Sequence, residues 1–260
     1  MFVLILLLLF ASIASSNACT ESTPSTFVFL ASLEGTGHHM FNDVYKSIAK
    51  TANNVIEIKG WDAIEEIYAN PLRSENTTYL VGHIASIPTG RPYAPGKRLH
   101  TLECIRFLSE LACPCCRIRI ITSSRDMLST AKSACVNRNF STCNEEVQIL
   151  HTELCVLKTE LSQVEKMKAS GECFGRPCDI DYRWFDYEDF TKHAVQKYAE
   201  PFGTLMNVDV DAVRDTFREL IHTGTSSSDG GSYSNLLAKI DKTFAGLDRT
   251  FTEEHRLITE

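Results

Sequence analysis

The feature that most constrains this chain is the alternation of short, wholly apolar runs with longer amphipathic ones. "TFVFLA" (26–31) is rich in β-branched and aromatic residues and has no polar face, which suits a strand covered on both sides in a parallel sheet. "HHMFNDVYKSIAKTA" follows, with Met40, Val44 and Ile48 spaced at helical turns. The alternation then repeats. "NVIEIKG" (54–60) and "TTYLVGHI" (77–84) read as strands, and "DAIEEIYANPL" between them reads as a helix stopped by Pro71. "GKRLHTLECIRFLSELAC" is amphipathic, and "RIRIITSS" (117–124) is a strand that leads directly into the helical pattern "RDMLSTAKSACVNR". Strands separated by helices need right-handed crossovers, so the chain is expected to be α/β: three layers, α/β/α, around a central parallel sheet.

Beyond residue 145, Val147, Leu150, Leu154, Leu157, Leu161 and Val164 recur at spacings of three and four. This seam fits either a coiled-coil dimer or one long helix lying on its own sheet, and the second is the commoner arrangement at this length. "DYRWFDYEDF" supplies a last strand, and "TKHAVQKYAEPFG" a helix ended by a turn at Pro201 to Gly203. "GTSSSDGGS" (224–232) has the composition of a loop over a site or of a linker.

Compartment decides which chemistry is available. "MFVLILLLLFASIASSNAC" has an apolar core and then small residues, with Ser16 and Ala18 at a small-x-small position. The expected organisation is a signal peptide over 1–18 and a single α/β domain over 19–260; a retained signal anchor is the alternative. No other stretch is long enough to span a bilayer. Ten cysteines in a secreted or Golgi-lumenal chain favour disulfides over a metal site, because Cys113, Cys115 and Cys116 match no zinc spacing. Cys135 with Cys143 and Cys173 with Cys178 are near enough in sequence to close small loops. Asn76-Thr77-Thr78 and Asn139-Phe140-Ser141 are glycosylation sequons. A net charge of −7 argues against a nucleic-acid partner, so any anionic ligand has to meet a local basic pocket.

The turn "SLEGTGHH" joins the first strand to the first helix. Glycines there serve positive φ alone, or they also let the N–H groups of Gly35, Thr36, Gly37 and His38 converge at a helix N-terminus, where a phosphate is favoured. There is no Gly-Lys-Ser/Thr, so the turn is not a Walker A loop. Downstream, the fourth strand ends at Arg125, and Ser133 lies eight residues further on.

In these elements the chain resembles the P-loop sulfotransferase family, whose donor is 3′-phosphoadenosine 5′-phosphosulfate. "SLEGTGHH" is similar to the family's turn for the 5′-phosphosulfate, and Arg125 and Ser133 match its pair for the 3′-phosphate in type and spacing. "FDYEDF" followed by "AVQKYAEPFG" is similar to its Tyr-Glu-Asp-Leu segment and the next helix. The resemblance spans residues 26 to about 205 and implies a P-loop nucleoside triphosphate hydrolase-like fold. It further implies sulfuryl transfer to a hydroxyl acceptor on a glycan, a protein tyrosine or a small alcohol. The donor-binding residues would be Gly35, Thr36, Gly37, His38, His39, Arg125 and Ser133, with no metal.

The departure lies in the turn. The family has a lysine two residues before its Gly-Thr pair, and Leu33 stands there, after Ser32. His38 or His39 is the candidate replacement for that charge. His83, after the third strand, is the candidate general base, with Glu57 and Glu34 as alternatives. Lys132, Arg138, Arg91 and Arg98 are candidates to complete a basic pocket. A secreted, non-catalytic binding protein on the same fold is the rival reading, and the missing lysine is its support.

Overall fold

The protein is described here by a computed structural model covering residues 24–33, 35–58, 63–70, 72, 75–82, 101–112, 115–127, 129–131, 133, 143–221 and 253–257. The signal segment, Glu34, His83, Arg91, Arg98, Lys132, Cys135, Arg138, the second sequon and the loop 224–232 lie outside the described residues, as do the side chains of His38, His39 and Cys143.

Five strands form one all-parallel sheet: β1 (Thr26–Leu30), β2 (Val55–Ile58), β3 (Thr78–Val81), β4 (Arg117–Ser124) and β7 (Asp179–Asp186). Their spatial order is β2-β3-β1-β4-β7. All five residues of β1 are buried, as its unbroken apolar run predicts, because β1 is the central strand and is covered on both faces. The small antiparallel hairpin β5 (Glu172–Cys173) and β6 (Arg176–Pro177) stands apart and is closed by the Cys173–Cys178 disulfide. Cys115 and Cys116 are also disulfide-bonded.

Alternate residues of β1 feed two cores. Phe27, Phe29 and Ala31 face the layer formed by α2 (Ala63–Ala69), α3 (Thr101–Phe107) and α4 (Cys143–Ser170). Val28 and Leu30 face the layer formed by α1 (His38–Thr51), α5 (Tyr187–His193), α6 (Ala199–Met206) and α7 (Val210–Leu220). The second core is aromatic: Phe41 of α1 lies 5.3 Å from Phe185, 5.6 Å from Phe190 and 5.6 Å from Phe202 between ring centroids. Rings at this spacing add roughly 0.5–1.5 kcal/mol per pair beyond the area they bury.

On α4, Leu150, Leu154, Leu157, Leu161 and Val164 are all buried in the first core. The heptad seam therefore lies against the protein's own sheet.

One expectation is corrected. Pro201 and Gly203 do not end a helix; α6 runs through both to Met206 and is closed by Asn207 in the left-handed region. A π-helical turn, Ala194–Tyr198, precedes α6 and puts Pro201 in the first turn of the new helix, where a missing N–H leaves no ladder bond unmade. Gly203 is needed for helix proximity, since a Cβ there would lie 2.9 Å from Val210 Cγ2 and 3.1 Å from the Val208 carbonyl oxygen.

The strand order locates a crevice. The chain leaves β1 through α1 toward β2, on one side of the sheet, and leaves β4 toward β7, on the other. In open parallel sheets ligands bind outside the carboxyl ends of such diverging strands. The segments at that point are 31–37, after β1, and the residues after Ser124.

Candidate functional site

The pairing of β1 with β4 runs from Thr26 opposite Arg117 to Leu30 opposite Ile121. It extends one residue further, where the Ala31 N–H donates to the Ile121 carbonyl at 2.8 Å. Beyond that point side chains take over. The Ser123 N–H donates to Ser32 Oγ (2.9 Å), and the Ser123 hydroxyl donates to the Thr36 carbonyl (2.9 Å). Both serines are buried, so these bonds fix the path of the turn in a water-poor setting.

Thr36 points inward. Its hydroxyl donates to the Leu33 carbonyl at 2.5 Å, its N–H donates to the same carbonyl at 3.3 Å and its side chain is buried, so Thr36 closes the turn on itself.

Both glycines are required by conformation. Gly35 has φ +85° and Gly37 φ +108°, in the region where a Cβ is costly. A Cβ on Gly35 would lie 2.7 Å from the Thr130 carbonyl oxygen, and one on Gly37 would lie 2.6 Å from Tyr187 Cε2. Gly37 is the N-cap of α1 and, having no side chain, makes no cap bond of its own. The first-turn N–H groups of a 14-residue helix, with the partial positive charge of its dipole, therefore open at the switch point.

Arg125, one residue past β4, reaches back over this turn. Its NH1 donates to the Gly35 carbonyl (2.8 Å), its Nε donates to Glu188 Oε1 (3.0 Å), and its guanidinium carbon lies 4.6 Å from the Tyr187 ring centroid. Three segments thus meet: the turn after β1, the end of β4 and the start of α5. Ser133 lies on the helical segment that follows Arg125, within 127–133, and is partly buried.

Further along α5, Asp189 accepts from Tyr198 Oη (2.7 Å) and Lys197 Nζ (3.2 Å). Burial alone would raise its carboxyl, but the hydrogen bonds from Tyr198 and Lys197 and the charges of Lys197 and His193 outweigh that and hold it below the usual carboxylate range. Burial first, and then Asp189, push the Tyr198 phenol well up.

Of the sequence-predicted residues, Gly35, Thr36, Gly37, the start of α1 and Arg125 are brought together. Glu57 is mid-strand in β2, two strands away from β1. Gly82, the neighbour of His83, lies just past β3 against α1: a Cβ there would fall on Asn42 Oδ1, at 1.7 Å. Leu33, where the family has its lysine, is 3% exposed and belongs to the first hydrophobic core. Four residues that build the site escape the sequence reading of it: Ser32, Ser123, Tyr187 and Glu188. The last two lie in the "FDYEDF" stretch already singled out, and Ser123 lies at the strand end that announces Arg125. No family model matches the chain, and a search of curated proteins gives no match.

Proposed function

We propose that this protein binds 3′-phosphoadenosine 5′-phosphosulfate at the turn between β1 and α1 and transfers its sulfuryl group to a hydroxyl acceptor. The observation that carries the reading is the N-terminus of α1, with glycine as its N-cap, behind a turn that Arg125 clasps at Gly35. This is a preorganised set of backbone donors with a guanidinium beside it, at the place where the strand order opens a crevice.

In the reaction, the acceptor oxygen attacks sulfur while the bond from sulfur to the bridging phosphate oxygen breaks. The acceptor proton goes to a base, for which His83 is the candidate, and the charge growing on the phosphate is met by the α1 N–H groups. Arg125, with Ser133, is assigned to the 3′-phosphate. The Cys173–Cys178 disulfide suits the oxidising lumen in which we place the enzyme, and no helix among the described residues is long and apolar enough to cross a membrane.

A second reading, a non-catalytic binding protein on this fold, is favoured by Leu33. An apolar side chain sunk in the core replaces the cation that transfer would use. The deciding experiment is a titration with adenosine 3′,5′-bisphosphate and, in parallel, ATP, followed by label transfer from the sulfate donor to glycan, tyrosine and small-alcohol acceptors. Preference for the bisphosphate with transfer supports the enzyme; preference without transfer supports the binding protein. Binding of neither nucleotide also supports the binding protein, and binding of ATP as tight as or tighter than that of the bisphosphate overturns both.

A further inference from the structure

On the opposite side of β7 from the β4 pairing, residues 253–257 return to the sheet. Arg256 bridges Trp184 in parallel, and the Leu257 N–H donates to the Trp184 carbonyl at 2.7 Å. In the short 3-10 turn Glu253–His255, the imidazole of His255 stacks on Tyr182 of β7 with ring centroids 4.4 Å apart, and its side chain is only 7% exposed. There it meets two carboxylates. Glu254 Oε1 is 3.2 Å and Glu165 Oε1, from α4, is 2.5 Å from His255 Nε2, and one ligand atom from each residue falls within 4.8 Å of the others.

We infer that Glu165, Glu254 and His255 form a binding site for a divalent transition-metal cation of the zinc type, which fastens residues 253–257 to α4 and β7. Charge is the first argument. Two carboxylates converge on one imidazole, and among the described residues neither pairs with a lysine or arginine. The nearby Arg183 is occupied by Asp181 and by the Glu254 main-chain carbonyl. The second argument is an unmet valence. Glu165 Oε1 is buried and has no hydrogen-bond donor among the described residues, while Nε2 beside it stands at hydrogen-bond distance from Glu254 Oε1. A buried carboxylate oxygen without a donor keeps its lone pairs for a cation. The third argument is distance. A tetrahedral cation with bonds of about 2.0–2.1 Å holds its N and O ligand atoms roughly 3.3 Å apart. Glu254 already stands at that separation, and Glu165, one-third exposed on α4, has room to withdraw by under an ångström. One imidazole and two carboxylates suit zinc and its neighbours better than magnesium or calcium, which prefer all-oxygen shells.

The test uses the whole secreted chain, stripped with a chelator and then titrated with zinc alone, with magnesium as control, and with cobalt as a spectroscopic probe. The expected result is one zinc per chain, a rise in Tm of about 5–10 °C at a hundredfold excess over the Kd, and cobalt absorption of tetrahedral intensity. Magnesium should give none of these. Glu254→Gln removes an exposed ligand and leaves the core untouched, so it reports on the site even if His255→Ala folds poorly; each should lower zinc affinity at least tenfold. Zinc binding that is undiminished in Glu254→Gln and Glu165→Gln, or a Tm indifferent to zinc, overturns the inference. None of these outcomes bears on nucleotide binding at the other site.

Discussion

Arg125 NH1 holds the Gly35 carbonyl at 2.8 Å, so the residue just past β4 also clasps the turn that follows β1. A single guanidinium therefore has two duties, bracing the turn and, in our proposal, meeting a phosphate. Arg125→Ala should weaken adenosine 3′,5′-bisphosphate by about 1.5–3 kcal/mol, the range of a charge-assisted hydrogen bond. Adenosine 5′-phosphate should also lose affinity, by a smaller amount, because the turn loosens. Calorimetric titration of both ligands separates the two duties; identical losses would leave Arg125 with the bracing duty alone.

Glu188 bears on the same charge. As the partner of Arg125 Nε at 3.0 Å, it offsets the guanidinium that an anion must find. Glu188→Gln keeps a hydrogen-bond acceptor and removes the negative charge. The bisphosphate should then bind up to about fivefold more tightly, the scale of a partly exposed ion pair. Weaker binding in this variant would count against a phosphate at Arg125.

The two glycines should differ in tolerance. Gly35→Ala drives a Cβ against the backbone oxygen of Thr130, which cannot turn aside, whereas Gly37→Ala meets the edge of the Tyr187 ring, which can. Each carries roughly 1–2 kcal/mol of left-handed strain, and Gly35→Ala should cost more in total. Urea unfolding of the two variants orders them.

Leu33→Lys is the substitution that imitates the family's turn, and it should fail. The side chain at this position enters the core, so the change combines loss of a buried leucine, about 2–5 kcal/mol by truncation, with burial of a charge. A fall in Tm and no gain in transfer is the expected outcome.

Asp189 supplies a pH dependence. Its carboxyl titrates lower in the folded chain than its ordinary value of 3.8, so its contribution is complete above that value and is lost as pH falls through the lowered folded value. Tyr198→Phe removes the hydrogen bond at 2.7 Å; it should bring the acid unfolding midpoint to higher pH and cost about 1–3 kcal/mol at neutrality. Acid titration of parent and variant by circular dichroism reads both.

The alternation of apolar runs made the layers legible, because period and length alone separate a buried strand from a helix. The heptads of α4 left its partner open, and it is the burial of Leu150 through Val164 that assigns them to the sheet. The end of α6 was misread because Pro201 breaks a helix only where a ladder bond is due, and the π turn before it removes that need. Helix α7, introduced by Asp209 as N-cap, shows its amphipathic pattern in Val210, Val213, Phe217 and Leu220, yet its packing against α1 is a matter of tertiary placement. In the site, Gly35, Gly37 and Arg125 were readable as types at a spacing. That Arg125 would bond to Gly35 was not, because the contact depends on the register that sets Leu30 opposite Ile121. The inward turn of Thr36 is equally a product of the fold, since only the finished turn brings its hydroxyl to the Leu33 carbonyl.

The return of residues 253–257 to β7 also has a bearing on when and with whom the protein associates. A ribosome releases these residues more than sixty positions after β7 has emerged, so through that interval the outer edge of β7 at Trp184 lacks the partner that residues 253–257 later supply. Proteolytic trimming before Glu253 would uncover the same stretch in the mature molecule, and the trimmed form should self-associate more readily than the intact one.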